Sequence, residues 1–156
     1  MNLIEILKKI INYIKKLIHS IFNTEEQQLS TDEFYKKEYL LTQNELKFYK
    51  TLKQITDKME LTLFCQVPVY ELINAKSYKA FNKIRNKTID FVITEKNCRI
   101  KCCIELDDST HNQTKRIERD NFINEIFEET ETKLIRFKVH NNYNIEEIEK
   151  IIKDSI

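Results

Sequence analysis

Three acidic residues are the side chains of this sequence best placed to do chemistry. Asp90 lies in the segment TIDFVIT, and Glu105 and Asp107 end the segment RIKCCIELD. Both segments have the composition and alternation of β-strands, so Glu105 and Asp107 share one face of their strand. In an antiparallel hairpin, Asp90 would face Cys103 or Glu105 directly. The spacing therefore predicts that three carboxylates converge at the end of a hairpin.

Carboxylates in such a group favour a bound cation. Without one they repel each other, and each raises the pKa of its neighbours. Oxygen ligands suit Mg²⁺ or Mn²⁺ and leave room for water and a phosphate. Such an ion lowers the pKa of bound water and stabilises charge on the phosphate. We therefore predict that Asp90, Glu105 and Asp107 bind a metal. The alternative is that these acids are solvated at strand ends, and that residues 107–109 cap the next helix.

The segments around this hairpin predict an α/β domain. Thr42-x-x-Glu45 is a capping-box pattern that begins a helix running to about residue 58. The other predicted elements are a strand at 61–69, an irregular basic stretch at 74–87, strands at 88–94 and 99–107, a helix at 113–130, a strand at 133–139 and a helix at 145–156. The order is helix, three strands, helix, strand, helix. This αβββαβ order predicts a mixed four-stranded sheet flanked by helices.

Side-chain alternation also predicts which residues form the core. Ile89, Phe91 and Ile93 are expected to pack inward, with Thr88, Asp90 and Val92 on the opposite face. The inner side of the helix at 113–130 is expected to carry Ile117, Phe122, Ile123, Ile126 and Phe127. The chain contains no glycine, so asparagines are expected at left-handed turn positions. The lack of glycine also excludes P-loop and dinucleotide-binding motifs.

Residues 1–22 predict an amphipathic helix with Lys8, Lys9, Lys15 and Lys16 opposite its apolar face. The lysines interrupt the apolar residues too often for a membrane span or a signal peptide. Three interpretations remain open: an anchor on an anionic membrane surface, a self-associating helix that forms a homodimer, or a helix packed on its own domain. Residues 23–38 are interpreted as a linker with a short helix at 31–37, followed by a domain at 39–156.

The four cysteines have no paired spacing, which favours reduced and mostly buried thiols in a cytoplasmic protein. The membrane interpretation of residues 1–22 would place that protein at the inner face of the membrane. A zinc site at Cys98, Cys102 and Cys103 is a weaker alternative. Cys102 and Cys103 are adjacent on a strand and point to opposite faces, so they cannot easily share one ion.

The hairpin resembles a known catalytic motif. Asp90-Phe-Val-Ile, a turn, and Ile104-Glu105-Leu106-Asp107-Asp108-Ser-Thr-His111 are similar to the catalytic hairpin of the PD-(D/E)XK, restriction-endonuclease-like superfamily. The likeness runs from Leu41-Thr42-x-x-Glu45 through Arg119-Asp120 to Leu134-Ile135-Arg136-Phe137, about residues 40 to 140. It is strongest to an uncharacterised bacterial family with that core, and more distant to very-short-patch-repair endonucleases. The αβββαβ order matches the superfamily core.

The resemblance implies that Asp90 and Glu105 are metal ligands. It also implies that Glu45 is a further ligand or hydrogen-bonds the metal-bound water, although its capping-box position explains it equally well. Asp107 departs from the superfamily pattern, which usually has a lysine at this position that orients the water and stabilises the phosphate. The cation would then come from Arg119, Lys115 or Arg116, and His111 would act as a general acid or base.

The implied activity is a Mg²⁺- or Mn²⁺-dependent DNA endonuclease of repair, restriction or mobile-element defence. The alternative is a nuclease-derived nucleic-acid-binding module without turnover, associated with a membrane through residues 1–22. A basic stretch interleaved with Tyr78 and Phe81 leads into the strand of Asp90, and suits phosphate contacts and base stacking. A solvated loop is the other explanation of this stretch. The predicted DNA-binding residues are Lys79, Lys83, Arg85, Lys87, Lys115 and Arg116.

Overall fold

The computed structural model describes residues 2–22, 31–107 and 114–156. The chain divides into two compact units, Met1–Glu38 and Tyr39–Ile156. The first unit contains helix α1 (Leu3–Phe22) and one turn of 3₁₀ helix, Thr31–Glu33. That turn is shorter than the helix predicted at 31–37. Within the described ranges, no helix has the length and apolar content needed to cross a membrane.

The second unit is a mixed α/β domain, as predicted. Its elements are α2 (Gln43–Lys58), β1 (Thr62–Pro68), α3 (Val69–Leu72), α4 (Tyr78–Ile84), β2 (Thr88–Thr94), β3 (Ile100–Asp107), α5 (Thr114–Glu129), β4 (Leu134–Lys138) and α6 (Ile145–Lys153). The four strands form one sheet in the order β1-β2-β3-β4. β1, β2 and β3 are antiparallel neighbours, and β4 runs parallel to β3 after the α5 crossover. The αβββαβ order is therefore confirmed.

Two hydrophobic clusters cover the two faces of the sheet. The first joins α2 and α6 to Phe91, Ile93 and the even-numbered apolar residues of β3. The second joins Ile123 and Phe127 of α5 to Val92 and Cys103. Val92 lies on the face opposite Phe91 and Ile93, as predicted. It is buried because α5 packs on that face.

Near Asp90, residues two apart on β1 and on β2 point to opposite faces of the sheet, which does not happen in a regular strand. Cys65 packs against the first cluster and Val67 belongs to the second, although both should share a face in a regular strand. Between them Gln66 has a φ of 54°, which rotates the strand. On β2, Phe91 and Ile89 divide between the clusters in the same way, so the prediction that they share one face was wrong.

The basic stretch at 74–87 contains a helix, α4, where irregular chain was predicted. Ser77 is its N-cap, and its hydroxyl accepts a hydrogen bond from the N–H of Ala80 at 3.1 Å. Ile84 is buried in the second cluster and anchors the end of the helix. The N-cap at Ser77 and the buried Ile84 therefore stabilise this helix. It was not predicted because the many lysines of the stretch leave too few apolar residues to show a helical spacing.

Asparagine does not occupy the left-handed positions of the described chain. The residues with positive φ are Glu60, Gln66, Cys98 and Glu131. Glu60 and Glu131 each follow a helix, where backbone hydrogen bonds close the last turn, such as Leu61 N–H to the Thr56 carbonyl at 2.9 Å. These bonds stabilise a backbone shape that glycine or asparagine would adopt with less strain.

Candidate metal and nucleic-acid site

An open pocket of about 470 Å³ lies where the β2–β3 hairpin meets the start of α2. The three predicted carboxylates, Asp90, Glu105 and Asp107, all line it. The register pairs Phe91 with Ile104, and continuing it by one residue places Asp90 opposite Glu105, as the sequence predicted. The first turn of α2 adds the carboxylate of Glu45 to the same pocket.

Asp90 is hydrogen-bonded to the backbone of the neighbouring strand. It is half-buried, and its Oδ2 accepts a hydrogen bond from the Leu106 N–H at 2.8 Å, which ties β2 to β3 beside Glu105. Burial raises the pKa of Asp90 above the usual range of an aspartate. The Leu106 N–H opposes this rise in pKa, and the negative charges of Glu45 and Asp107 add to it. A cation at this position would relieve both the desolvation and the repulsion.

Glu45 serves the helix cap and the pocket at once. Its Oε2 accepts a hydrogen bond from the Thr42 N–H at 2.6 Å, and its own N–H donates to Thr42 Oγ1, which completes the predicted capping box. Its Oε1 accepts a hydrogen bond from Gln66 Nε2 at 3.1 Å. The two explanations offered for Glu45 are therefore compatible, because each carboxylate oxygen makes a different contact.

Gln66 was missed by the sequence analysis. Its Nε2 contacts Glu45 at 3.1 Å and lies 3.5 Å from Asp90 Oδ1, so one amide links two acids from different elements. The only signal in the sequence was a long polar side chain near the centre of an apolar strand. Its meaning depends on the β1–β2 register, which pairs Cys65 with Phe91 and so places Gln66 level with Asp90.

Arg136 was also missed, although it belongs to the strand LIRFK. Its Nη1 donates to Asp107 Oδ1 at 2.8 Å, and its Nε donates to Asn124 Oδ1 at 3.1 Å. The parallel register places it beside Glu105 on the neighbouring strand, and it lines the pocket. An arginine therefore lies next to Asp107, the residue at which the resemblance implies a lysine.

The other predicted cations differ in where they lie. Lys87 lines the pocket, whereas Lys79, Lys83 and Arg85 are exposed on α4 or directly after it. Lys115, Arg116 and Arg119 belong to α5, but their side chains lie outside the described part of the chain, as does His111 altogether. The predicted roles of these last four residues stay predictions.

The described carboxylates do not form a ready-made set of three ligands. Among the described residues, no group of three or more His, Cys, Asp or Glu side chains is arranged to hold a metal ion. Asp107 is instead engaged by Arg136. Mg²⁺ is commonly held by only one or two carboxylates and keeps several waters. Asp90 and Glu105 fit that smaller ligand set, and the desolvated Asp90 gives a physical reason for a cation to bind there.

None of the four cysteines is among the residues that line this pocket. Cys102 is buried in the first cluster and Cys103 in the second, on opposite faces of β3. Burial raises the pKa of each thiol to about 12. Both therefore stay protonated at neutral pH, and they cannot ligate one zinc ion together. All four cysteines are free, but only Cys102 and Cys103 are buried, whereas Cys65 is half-buried and Cys98 is exposed, so the prediction of mostly buried thiols holds for two of the four.

Comparison with known proteins gives a family match. The model of the family described as "Protein of unknown function (DUF2726)" matches residues 37–156. Neither the curated proteins nor the solved structures contain a match. The matched range includes the whole second unit and every described residue of the pocket. The chain therefore belongs to the DUF2726 family.

Proposed function

We propose that residues 39–156 form a divalent-metal-dependent DNA endonuclease of the PD-(D/E)XK type. The observation that carries this proposal is the position of Asp90 and Glu105 on the wall of one open pocket, level with Gln66, where the backbone of β1 departs from a regular strand. The αβββαβ order and the resemblance of the hairpin residues support it. The proposal places the protein in the cytoplasm, where buried thiols stay reduced.

Asp90 and Glu105 would hold Mg²⁺ or Mn²⁺. The bound ion would supply an activated water and stabilise negative charge on the phosphate. The Leu106 N–H orients the Asp90 carboxylate, and Gln66 sets the distance between Asp90 and Glu45. Glu45 then offers an acceptor on the α2 side of the pocket, suited to orienting a water.

Arg136 would supply the cation that the superfamily normally takes from lysine. An arginine has five N–H donors, and the contacts to Asp107 and Asn124 use two of them. Its planar guanidinium suits bidentate contact with a phosphate. Asp107 then has a positioning role, since it holds the guanidinium at the pocket wall.

Plasmid cleavage tests the proposed activity. The full chain is expected to nick or linearise plasmid DNA in Mg²⁺ or Mn²⁺ and to be inactive in EDTA. Glu105→Gln should lower the cleavage rate at least a hundredfold, since the ion is expected to stabilise the transition state by several kcal/mol. Glu95→Gln, on the hairpin turn where Glu95 pairs with Lys101, is the matched control and should cleave normally.

Two outcomes would contradict the endonuclease. Cleavage that survives in EDTA or in Glu105→Gln would show that another protein or another site cuts the DNA. Tight, salt-sensitive DNA binding without cleavage in either metal would favour the binding module. The aspartate at 107, in place of a lysine, is the feature that favours this second function.

Arg136→Met is expected to slow cleavage by on the order of a hundredfold, because one charge-stabilising donor is lost at the phosphate. Arg136→Lys should recover part of the rate by keeping the charge. The control is Lys138→Met, an exposed neighbour on β4. Single-turnover rates at saturating DNA separate this effect from binding. Normal cleavage by Arg136→Met, or a rate in Arg136→Lys no higher than in Arg136→Met, would contradict this role.

Lys83→Glu with Arg85→Glu is expected to weaken DNA binding and to reduce the slope of affinity against salt concentration. Each phosphate contact that is lost lowers that slope by about one. Both residues are exposed at the end of α4, directly before the pocket residue Lys87. Lys96→Glu is the control, because Lys96 pairs with Glu60 at the far end of the hairpin. Equal binding by the double variant and the unaltered protein would rule out this patch.

A further inference from the structure

The helix α1 has an apolar face that the proposed nuclease activity does not use. Eight large apolar side chains of this helix are 47% to 68% exposed, from Ile4 to Ile18. Side chains of the same types in the second unit form two buried clusters. An exposed apolar face of this size marks an interaction surface.

The face is broad and its borders are basic. With 3.6 residues per turn, the apolar side chains from Ile4 to Ile18 span an arc of roughly 180°. The four lysines flank this arc rather than lie opposite its centre, where the sequence pattern predicted them: Lys8 and Lys15 follow one edge, and Lys9 and Lys16 follow the other. Glu5 and Asn12 lie near the middle of the polar face. Lysines at both edges can extend their charged ends toward a surface while the apolar arc enters it.

A coiled coil would need a different arrangement. Two-stranded coiled coils bury a narrow seam and place charged residues beside it, where opposite charges on the partner select the pairing. In α1 the positions beside the seam are apolar, for example Ile4, Ile11 and Tyr13. The helix carries four lysines and only one glutamate, so a second copy of α1 does not offer enough negative charge to pair with the lysines.

We propose that α1 is a peripheral anchor that lies on an anionic lipid surface. The apolar arc enters the boundary between headgroups and acyl chains, and the two lysine rows contact the anionic headgroups. The helix is not built to span the bilayer. The anchor would hold the chain at the membrane, independently of what the pocket of the second unit does.

Vesicle binding by the full chain tests this proposal. Sedimentation with phosphatidylcholine vesicles is compared with sedimentation with vesicles of phosphatidylcholine and the anionic lipid phosphatidylglycerol. Binding is expected only to the anionic vesicles and should weaken as salt is added. Each Lys→Gln change at Lys8, Lys9, Lys15 or Lys16 should weaken binding about fivefold at low salt.

Ile14→Glu and Asn12→Glu form a matched pair, because each adds one negative charge to the same turn but on opposite faces. Ile14→Glu should lower vesicle binding at least about tenfold more than Asn12→Glu does. Equal effects of the two changes would overturn the proposal, as would equal binding to both kinds of vesicle. Absence of binding would also overturn it, and a concentration-dependent oligomer that Ile14→Glu dissociates would then assign the face to self-association.

Discussion

Asp90→Asn is expected to abolish DNA cleavage while leaving the metal-free domain at least as stable as the unaltered protein at neutral pH. The loss of activity follows from the proposed role of Asp90 as a metal ligand, and a rate at least a hundredfold lower is expected. The asparagine keeps a carbonyl oxygen that can accept the hydrogen bond from the Leu106 N–H, made at 2.8 Å in the unaltered protein. The link between β2 and β3 should therefore survive.

The stability part of this prediction follows from the raised pKa of Asp90, which is caused first by burial. A carboxyl group with a folded-state pKa above its unfolded value stabilises the fold fully below the unfolded pKa, about 3.9 for aspartate. That contribution is lost as the pH rises through the folded-state pKa. The Asp90→Asn variant has no titrating group at this position, so its advantage in thermal stability should appear over this pH window and persist at neutral pH.

Thermal melting from pH 3 to pH 8 without metal measures this difference, and cleavage assays measure activity. The control is Asp57→Asn, at an exposed aspartate that pairs with Lys53, and it should change neither the melting temperature nor the cleavage rate. Added Mg²⁺ should raise the melting temperature of the unaltered protein more than that of Asp90→Asn, because a ligand stabilises the state that binds it. Full cleavage by Asp90→Asn would remove Asp90 from the site. A melting difference that favours aspartate at neutral pH would contradict the raised pKa.

Phe48→Ala is expected to lower the free energy of unfolding by about 3–5 kcal/mol, the largest stability loss that we predict for a single substitution. Phe48 is fully buried, and its ring lies 5.8 Å from that of Phe91, 5.1 Å from that of Phe137 and 4.7 Å from that of Tyr143, between centroids. These residues come from α2, β2, β4 and the chain before α6. The alanine therefore leaves a cavity where four parts of the domain meet.

Urea denaturation followed by circular dichroism measures this loss. Phe64→Ala is the matched control, since Phe64 is 39% exposed on β1 and its removal should cost about 1 kcal/mol. Phe48→Leu should lose less than Phe48→Ala, because the leucine fills part of the cavity. If Phe48→Ala loses no more free energy of unfolding than Phe64→Ala, at about 1 kcal/mol, then the stability of the first cluster does not depend on the Phe48 ring.

The part of the site that is local in the chain could be predicted from the sequence. Period-two alternation places Glu105 and Asp107 on one face of β3, and the short connection to β2 brings Asp90 level with Glu105. Thr42 and Glu45 are three residues apart, so their capping box could also be recognised. In each case the interacting residues share an element or a tight hairpin, where spacing and backbone geometry determine which side chains meet.

The other residues of the site are positioned by contacts between distant parts of the chain. Gln66 reaches Asp90 and Glu45 because β1 pairs with β2 in one register and the backbone at Gln66 is left-handed. Arg136 reaches Asp107 because α5 carries the chain across to a parallel strand on the far side of β3. Alternation within a strand does not predict that Gln66 lies beside Asp90 or that Arg136 lies beside Asp107. The register between distant strands depends instead on how the two hydrophobic clusters pack. Local sequence patterns therefore predict the acids of the hairpin, whereas long-range packing positions Gln66 and Arg136 beside them.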